Sequence, residues 1–224
     1  MTARREVPLR SSSGFTITEL LIAMIVSLVV SLAGWGFYRT QLRVLTDQAA
    51  ELEATESARA AIGFMAREIR HTGYDPLDSA FPDPAAPALP NPGALVVAQQ
   101  NAIAFRWDND GDGTMEANAT DPLPESVSYA YNAGTGQIVR TVNGVSQTLI
   151  SNIPAGGLVF QYFNRNGAPL TLSGNPAALT GAQMDTVAFV RVHVRVQADG
   201  TRTTPAIVEM SARAALRNRI LDRL

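Results

Sequence analysis

Gly14-Phe15-Thr16-Ile17-Thr18-Glu19-Leu20 opens a stretch that carries no further charge until Arg39. Leu20 to Tyr38 is therefore an uncharged run close to the ~20 residues that a helix needs to cross a hydrocarbon core. Arg4, Arg5 and Arg10 precede it, the positive flank expected on the cytoplasmic side of a membrane segment. One carboxylate, Glu19, stands at the entrance of the run. A charge just inside a membrane span costs roughly 2.5–3.5 kcal/mol, so Glu19 is expected to serve a purpose and to have a partner. The plainer reading makes it a boundary carboxylate that reaches back to the interface.

The charged, proline-free segment that follows, Arg39 to Thr72, reads as the second half of the same helix. Its apolar residues fall at Leu45, Ala49 and Leu52 and, after a phase shift, at Ala58, Ile62, Met65 and Ile69, all steps of three and four. Such a stripe belongs under a folded domain. Arg67, Arg70 and His71 are expected in the last turn, where cations meet the negative helix end, with Gly73 as the left-handed residue that closes it. A continuous helix from Phe15 would span roughly 87 Å. Gly34 and Gly36 soften its apolar half, each by about 1 kcal/mol relative to alanine, or else permit close packing in a membrane.

Six prolines between Asp75 and Gly93 (Pro76, Pro82, Pro84, Pro87, Pro90 and Pro92) forbid regular helix and predict an extended connection. The pattern then changes to short strands. Ile103, Phe105 and Trp107 alternate, as do Val127, Tyr129 and Tyr131. Asn143-Gly144 between Ile138–Val142 and Val145–Ile150 is a two-residue hairpin signal. Leu158–Phe163, Val187–Val196 and Ala206–Ala212 read as later strands. The expected fold class is α+β: one antiparallel sheet packed on the helix. The division is 1–14 leader, 15–38 membrane half of the helix, 39–73 amphipathic half, 74–93 connection and 94–224 β-rich domain.

Removing leader and helix leaves about 150 residues, enough for one core. The chain has no cysteine, which rules out disulfides, and all 18 basic residues are arginine, which removes lysine chemistry. A net charge of −2 gives no overall drive toward nucleic acid.

The short basic leader, Gly14, Phe15 and Glu19 four residues later resemble the class III signal of type IV prepilins and type II secretion pseudopilins. That resemblance implies cleavage between Gly14 and Phe15 by a membrane peptidase that also N-methylates Phe15. It further implies a pilin fold, and pairing of Glu19 with the freed amine of Phe15 in a neighbouring subunit. Ser31-Leu32-Ala33, a small-x-small site after an apolar run, supports the competing reading of an ordinary secretory signal.

The chain also resembles PilW-type minor pilins. The residues that carry this are Phe64-Met65-Ala66-Arg67-Glu68-Ile69-Arg70 with Gly73-Tyr74, Phe160-Gln161-Tyr162-Phe163 with Asn166-Gly167, and Leu216-Arg217-Asn218-Arg219. The implied role is a minor pilin that helps initiate or cap a type IV pilus. Its partners would be other major and minor pilins, the peptidase/N-methyltransferase and the inner-membrane assembly platform. The implied location is the bacterial inner membrane, single-pass, with the domain in the periplasm and later in a pilus at the cell surface. The J-type minor pseudopilin of type II secretion and a tip adhesin or DNA receptor are the alternatives.

Asp108-Asn109-Asp110-Gly111-Asp112-Gly113 presents alternating carboxylates around a glycine, the hard oxygen ligands that calcium requires, with Glu116 as a further donor. The twelfth position, where an EF-hand has its bidentate glutamate, is Ala119. An acidic, solvated β-turn is the competing reading. Catalysis has little to stand on. The two histidines are His71 at the helix end and His193, which alternates with Arg191 and Arg195 along one strand face. No nucleophile-elbow pattern accompanies them, so the chain is read as a non-enzyme with no cofactor other than calcium.

Overall fold

A computed structural model describes residues 14–76, 93–113 and 123–216. By its contacts the chain divides into two compact units, Met1–Leu45 and Thr46–Leu224. One helix, α1 (Ile17–Ile69), contributes its first part to the former and its last part to the latter.

In the first unit every described residue from Gly14 to Leu45 is exposed, and α1 runs through Gly34 and Gly36 without a break. Leu20, Ile25, Leu28, Val30 and Phe37 are each more than half exposed. Water does not tolerate an apolar surface of this extent, so the segment is built for another medium.

The second unit contains the rest of α1 and two antiparallel sheets. The first sheet has five strands in sequential order: β1 (Leu95–Ala98), β2 (Ala102–Arg106), β3 (Ser126–Asn132), β4 (Gln137–Val142) and β5 (Val145–Ile150). The second has three: β6 (Leu158–Asn164), β7 (Val187–Gln197) and β8 (Ile207–Ala215). A one-turn helix, α2 (Gly181–Met184), capped by Thr180, lies between β6 and β7. The α+β class stands, but the single sheet expected from the pattern is two. β1 and α2 were not foreseen; each is four residues long, too short to show a period.

Alternation sets the core. Ile103, Phe105 and Trp107, then Val127 and Tyr129, and on β7 Val190, Val192, Val194 and Val196 are all buried. Ala54, Ala58, Ala61, Ile62, Met65 and Ile69 of α1 join them in one cluster. The second predicted set of helix positions is thus the packed one; Leu45 and Leu52 of the first set are exposed. Asn143 and Gly144 have φ of 46° and 84°, the left-handed pair of a tight hairpin turn, as the sequence required.

The helix stops earlier than its last cations suggest. α1 ends at Ile69, with Arg67 in its last turn, and Arg70 and His71 lie beyond it. Thr72 takes the freed Ile69 carbonyl through both its N–H (3.2 Å) and its hydroxyl (2.7 Å). Gly73 has the expected positive φ (74°), but its N–H goes to Arg106 O on the sheet rather than back to the helix. Of the proline-rich connection, 74–93, residues 77–92 lie outside the described part.

Two polar clasps fix α1 on the sheets. Glu68 accepts Arg140 Nε (3.0 Å), Arg140 Nη2 (2.5 Å) and the Tyr129 hydroxyl, while the Arg140 guanidinium lies 5.1 Å from the Phe64 ring centroid. Burial, then the adjacent Glu68 charge, pushes the Tyr129 phenol well above its ordinary pKa. Further up, Asp47 Oδ1 accepts the Thr201 N–H (2.7 Å) and hydroxyl (2.9 Å) from the β7–β8 connection, and Arg202 bridges Asp47 and Glu51. A Cβ on Gly200 would come within 2.8 Å of Asp47 Oδ1, so a larger residue there would require the Asp47 carboxylate to shift.

Candidate functional sites

The first site is the start of α1. Thr16 Oγ1 accepts the Glu19 N–H (3.3 Å), and Glu19 Oε2 accepts the Thr16 N–H (3.0 Å) and hydroxyl (2.9 Å). This is a capping box. Two of the four N–H groups that a helix leaves unpaired at its start are satisfied reciprocally, with a negative charge at the positive end of the dipole. The signal was legible as Thr-x-x-Glu in residues 16–19, yet the sequence reading assigned Glu19 a partner only in another subunit. Phe15 is 85% exposed, and nothing lies within 4 Å of where a Gly14 Cβ would stand.

The second site is the loop after β2. Asp108 is fully buried, and its carboxylate closes the loop on itself, Oδ1 accepting Gly111 N–H (2.6 Å) and Oδ2 accepting Gly113 N–H (3.0 Å). Asp110 Oδ1 accepts the Asp112 N–H (3.0 Å). Carboxylate oxygens of Asp108, Asp110 and Glu125 lie within 4.8 Å of one another. Of the four residues expected to bind calcium, the structure brings Asp108 and Asp110 together. Exposed Asp112 stands outside the group, and Glu116 lies outside the described residues.

Glu125, which the sequence reading missed, is fully buried and accepts the Asn109 N–H (3.1 Å). The hairpin residue Asn143 places it. Asn143 Oδ1 accepts the N–H groups of Glu125 (3.3 Å) and Ser126 (3.1 Å), and Nδ2 donates to Leu123 O (2.7 Å). No local spacing reveals a donor that is delivered by a turn 18 residues away.

His71 meets the edge of Trp107 at 6.0 Å, and His193 faces Ser211 across the β7–β8 ladder. The two histidines thus sit on different elements in different roles.

A family model described as the prokaryotic N-terminal methylation motif matches residues 9–35. No curated protein and no solved structure matches the chain. The motif, joined to an apolar helix long enough to cross a membrane, supports a membrane-anchored, type IV pilin-like protein, a pilin or pseudopilin subunit.

Proposed function

We propose that this chain is a minor pilin, a non-catalytic subunit that helps initiate or cap a type IV pilus, with its domain in the periplasm before assembly. The observation that carries the reading is the methylation motif placed on a helix whose first half is entirely exposed. Such a surface becomes stable in a membrane and then among the helices of neighbouring subunits. Prepilin peptidase cuts the Gly14–Phe15 bond and methylates Phe15. Glu19, pre-set by the capping box, then meets the new amine of an adjoining pilin, because an ionised carboxylate in an apolar bundle is costly without a partner.

N-terminal sequencing of the protein from cells should begin at methylated Phe15, and Gly14→Val should abolish processing. A mature start at Gly34 would overturn the reading in favour of an ordinary secretory signal. Two Glu19 variants separate the local cap from the intersubunit pair. Glu19→Gln keeps an acceptor for Thr16 but has no charge, so it should be cleaved normally and yet be depleted from sheared filaments as strongly as Glu19→Val. Wild-type incorporation of Glu19→Gln would reduce Glu19 to a helix cap.

We also propose that Asp108, Asp110 and Glu125 hold a calcium ion. Three carboxylates this close repel one another, and a hard divalent cation offsets that repulsion. Binding stabilises the fold by RT ln(1 + [L]/Kd), about 2.7 kcal/mol at a hundredfold excess over Kd. The melting temperature of the full chain in detergent should rise with millimolar calcium, and Asp110→Ala should erase the rise. An identical curve in calcium and in chelator would remove the metal from the proposal.

A further inference from the structure

The β7–β8 ladder sets two like charges opposite each other, Arg191 and Arg213. Backbone bonds from Ala198 N to Ala206 O and from Leu216 N to Ala188 O place the even-numbered residues of β8 in the hydrogen-bonded pairs. Arg191 opposite Arg213 is consequently a non-hydrogen-bonded pair, the kind in which side chains approach most closely. Like charges facing each other there are destabilising. The same face shows the opposite solution four residues along, where Arg195 is in register with Glu209 and its Nε lies 2.7 Å from Glu209 Oε1. Among the described residues neither Arg191 nor Arg213 has a carboxylate partner.

Aromatic rings hold both guanidiniums in place. Arg213 Cζ lies 4.0 Å from the Phe189 ring centroid and 5.7 Å from that of Phe163, and Arg191 Cζ lies 5.3 Å from Phe163. Phe163 and Phe189 are themselves in register across β6 and β7. Stacking on a ring occupies a guanidinium's face and leaves its in-plane N–H fork free to bind. Arg191 also forms part of the wall of a groove of about 440 Å³ beside β6, lined by Gln161, Phe163, Leu170 and Leu172.

We propose that Arg191 and Arg213 form a receptor for a phosphomonoester dianion, and that the groove takes the body of the molecule that bears it. Two planar forks carried by residues in register on adjacent strands match an oxyanion with three acceptor oxygens, and two positive charges match the −1.5 to −2 that a phosphomonoester carries at about pH 7. A lone carboxylate neutralises only one of the two. The ligand is a soluble phosphomonoester or the phosphate headgroup of a lipid. None of residues 14–45 takes part, so this site stands or falls apart from the assembly reading.

The test is calorimetric titration of the full chain, in neutral detergent at low ionic strength, with glycerol 3-phosphate and with acetate. Saturable millimolar binding of the phosphomonoester is expected, with acetate about tenfold weaker. Arg191→Ala with Arg213→Ala should abolish it, and Arg195→Ala, whose residue is already paired with Glu209, should leave it unchanged. Arg191→Lys with Arg213→Lys keeps the charge and, should the alanine variant fail to fold, decides alone; it should bind about tenfold more weakly, because lysine has no fork. With the chain in phosphatidylcholine nanodiscs, competition by added phosphatidic acid assigns the headgroup, and unchanged affinity assigns the soluble ester. Absence of saturable binding, equal binding of acetate, or full binding by either double variant overturns the proposal.

Discussion

Met24 and Met65 lie on one continuous helix with the same backbone geometry, yet Met24 is 64% exposed and Met65 is fully buried. The difference lies in the neighbours that each half was written for. The half before Arg39 has no charge after Glu19 and no face to distinguish, so it suits an apolar surrounding on every side. The half after Thr46 buries Ala54, Ala58, Ala61, Ile62, Met65 and Ile69 in one cluster with the strand residues. Helix formation is common to both halves; among the described residues only the second half finds a partner that buries it.

The widest separation between the halves should come from the two methionines. Met65→Ala is expected to cost the domain about 3–4 kcal/mol through lost transfer energy and a cavity, and Met24→Ala to fall within about 0.5 kcal/mol. Denaturant unfolding of the full chain in detergent, followed through buried Trp107, measures both. Equal effects would mean that the packing of α1 on the sheets does not carry the domain.

Next in size is the lower clasp. Arg140→Ala leaves Glu68 without its cation in a site that is nearly closed, and should cost about 2–3 kcal/mol, below the range for a fully buried pair because the side chain is 10% exposed. Arg140→Met with Glu68→Leu should restore most of the loss, since it removes both charges at once. If the single variant unfolds at the wild-type midpoint, the clasp sets orientation without adding stability.

The smallest effect belongs to the upper clasp and depends on pH. The Thr201 N–H, then its hydroxyl, hold the Asp47 carboxyl below its ordinary pKa of 3.8. A depressed pKa means that the folded state favours the ionised form, so the contribution is complete above about pH 4 and is lost as pH falls through the folded value. Asp47→Asn should therefore lower the melting temperature at neutral pH, and the gap from wild type should close below about pH 4. A constant gap down to the acid transition would show that the carboxylate charge is not what Thr201 and Arg202 hold.

Much of this was legible because it rests on local chemistry. The charge-free run after Glu19, the alternation of Ile103, Phe105 and Trp107, and the Asn143-Gly144 turn each express a rule that acts within a few residues. The apolar stripe of the helix was legible too, though its two phases looked alike in sequence, and only contact with the sheets separated packed Ala58–Ile69 from exposed Leu45 and Leu52. The capping box was present in Thr16–Glu19 and went unread because the membrane reading claimed the glutamate first.

What lay beyond the sequence was every interaction made across a long stretch of chain. Helix, strands, turns and the N-terminal motif follow from residue order, since their hydrogen bonds and periodicities are short-range. The split into two sheets, the Glu68–Arg140–Tyr129 clasp, the delivery of Glu125 to the acidic loop and the meeting of Arg191 with Arg213 depend on strand register. A shift of one residue would turn each of those side chains to the opposite face. Register is decided by the packed core as a whole, so only the tertiary structure could show which charges meet.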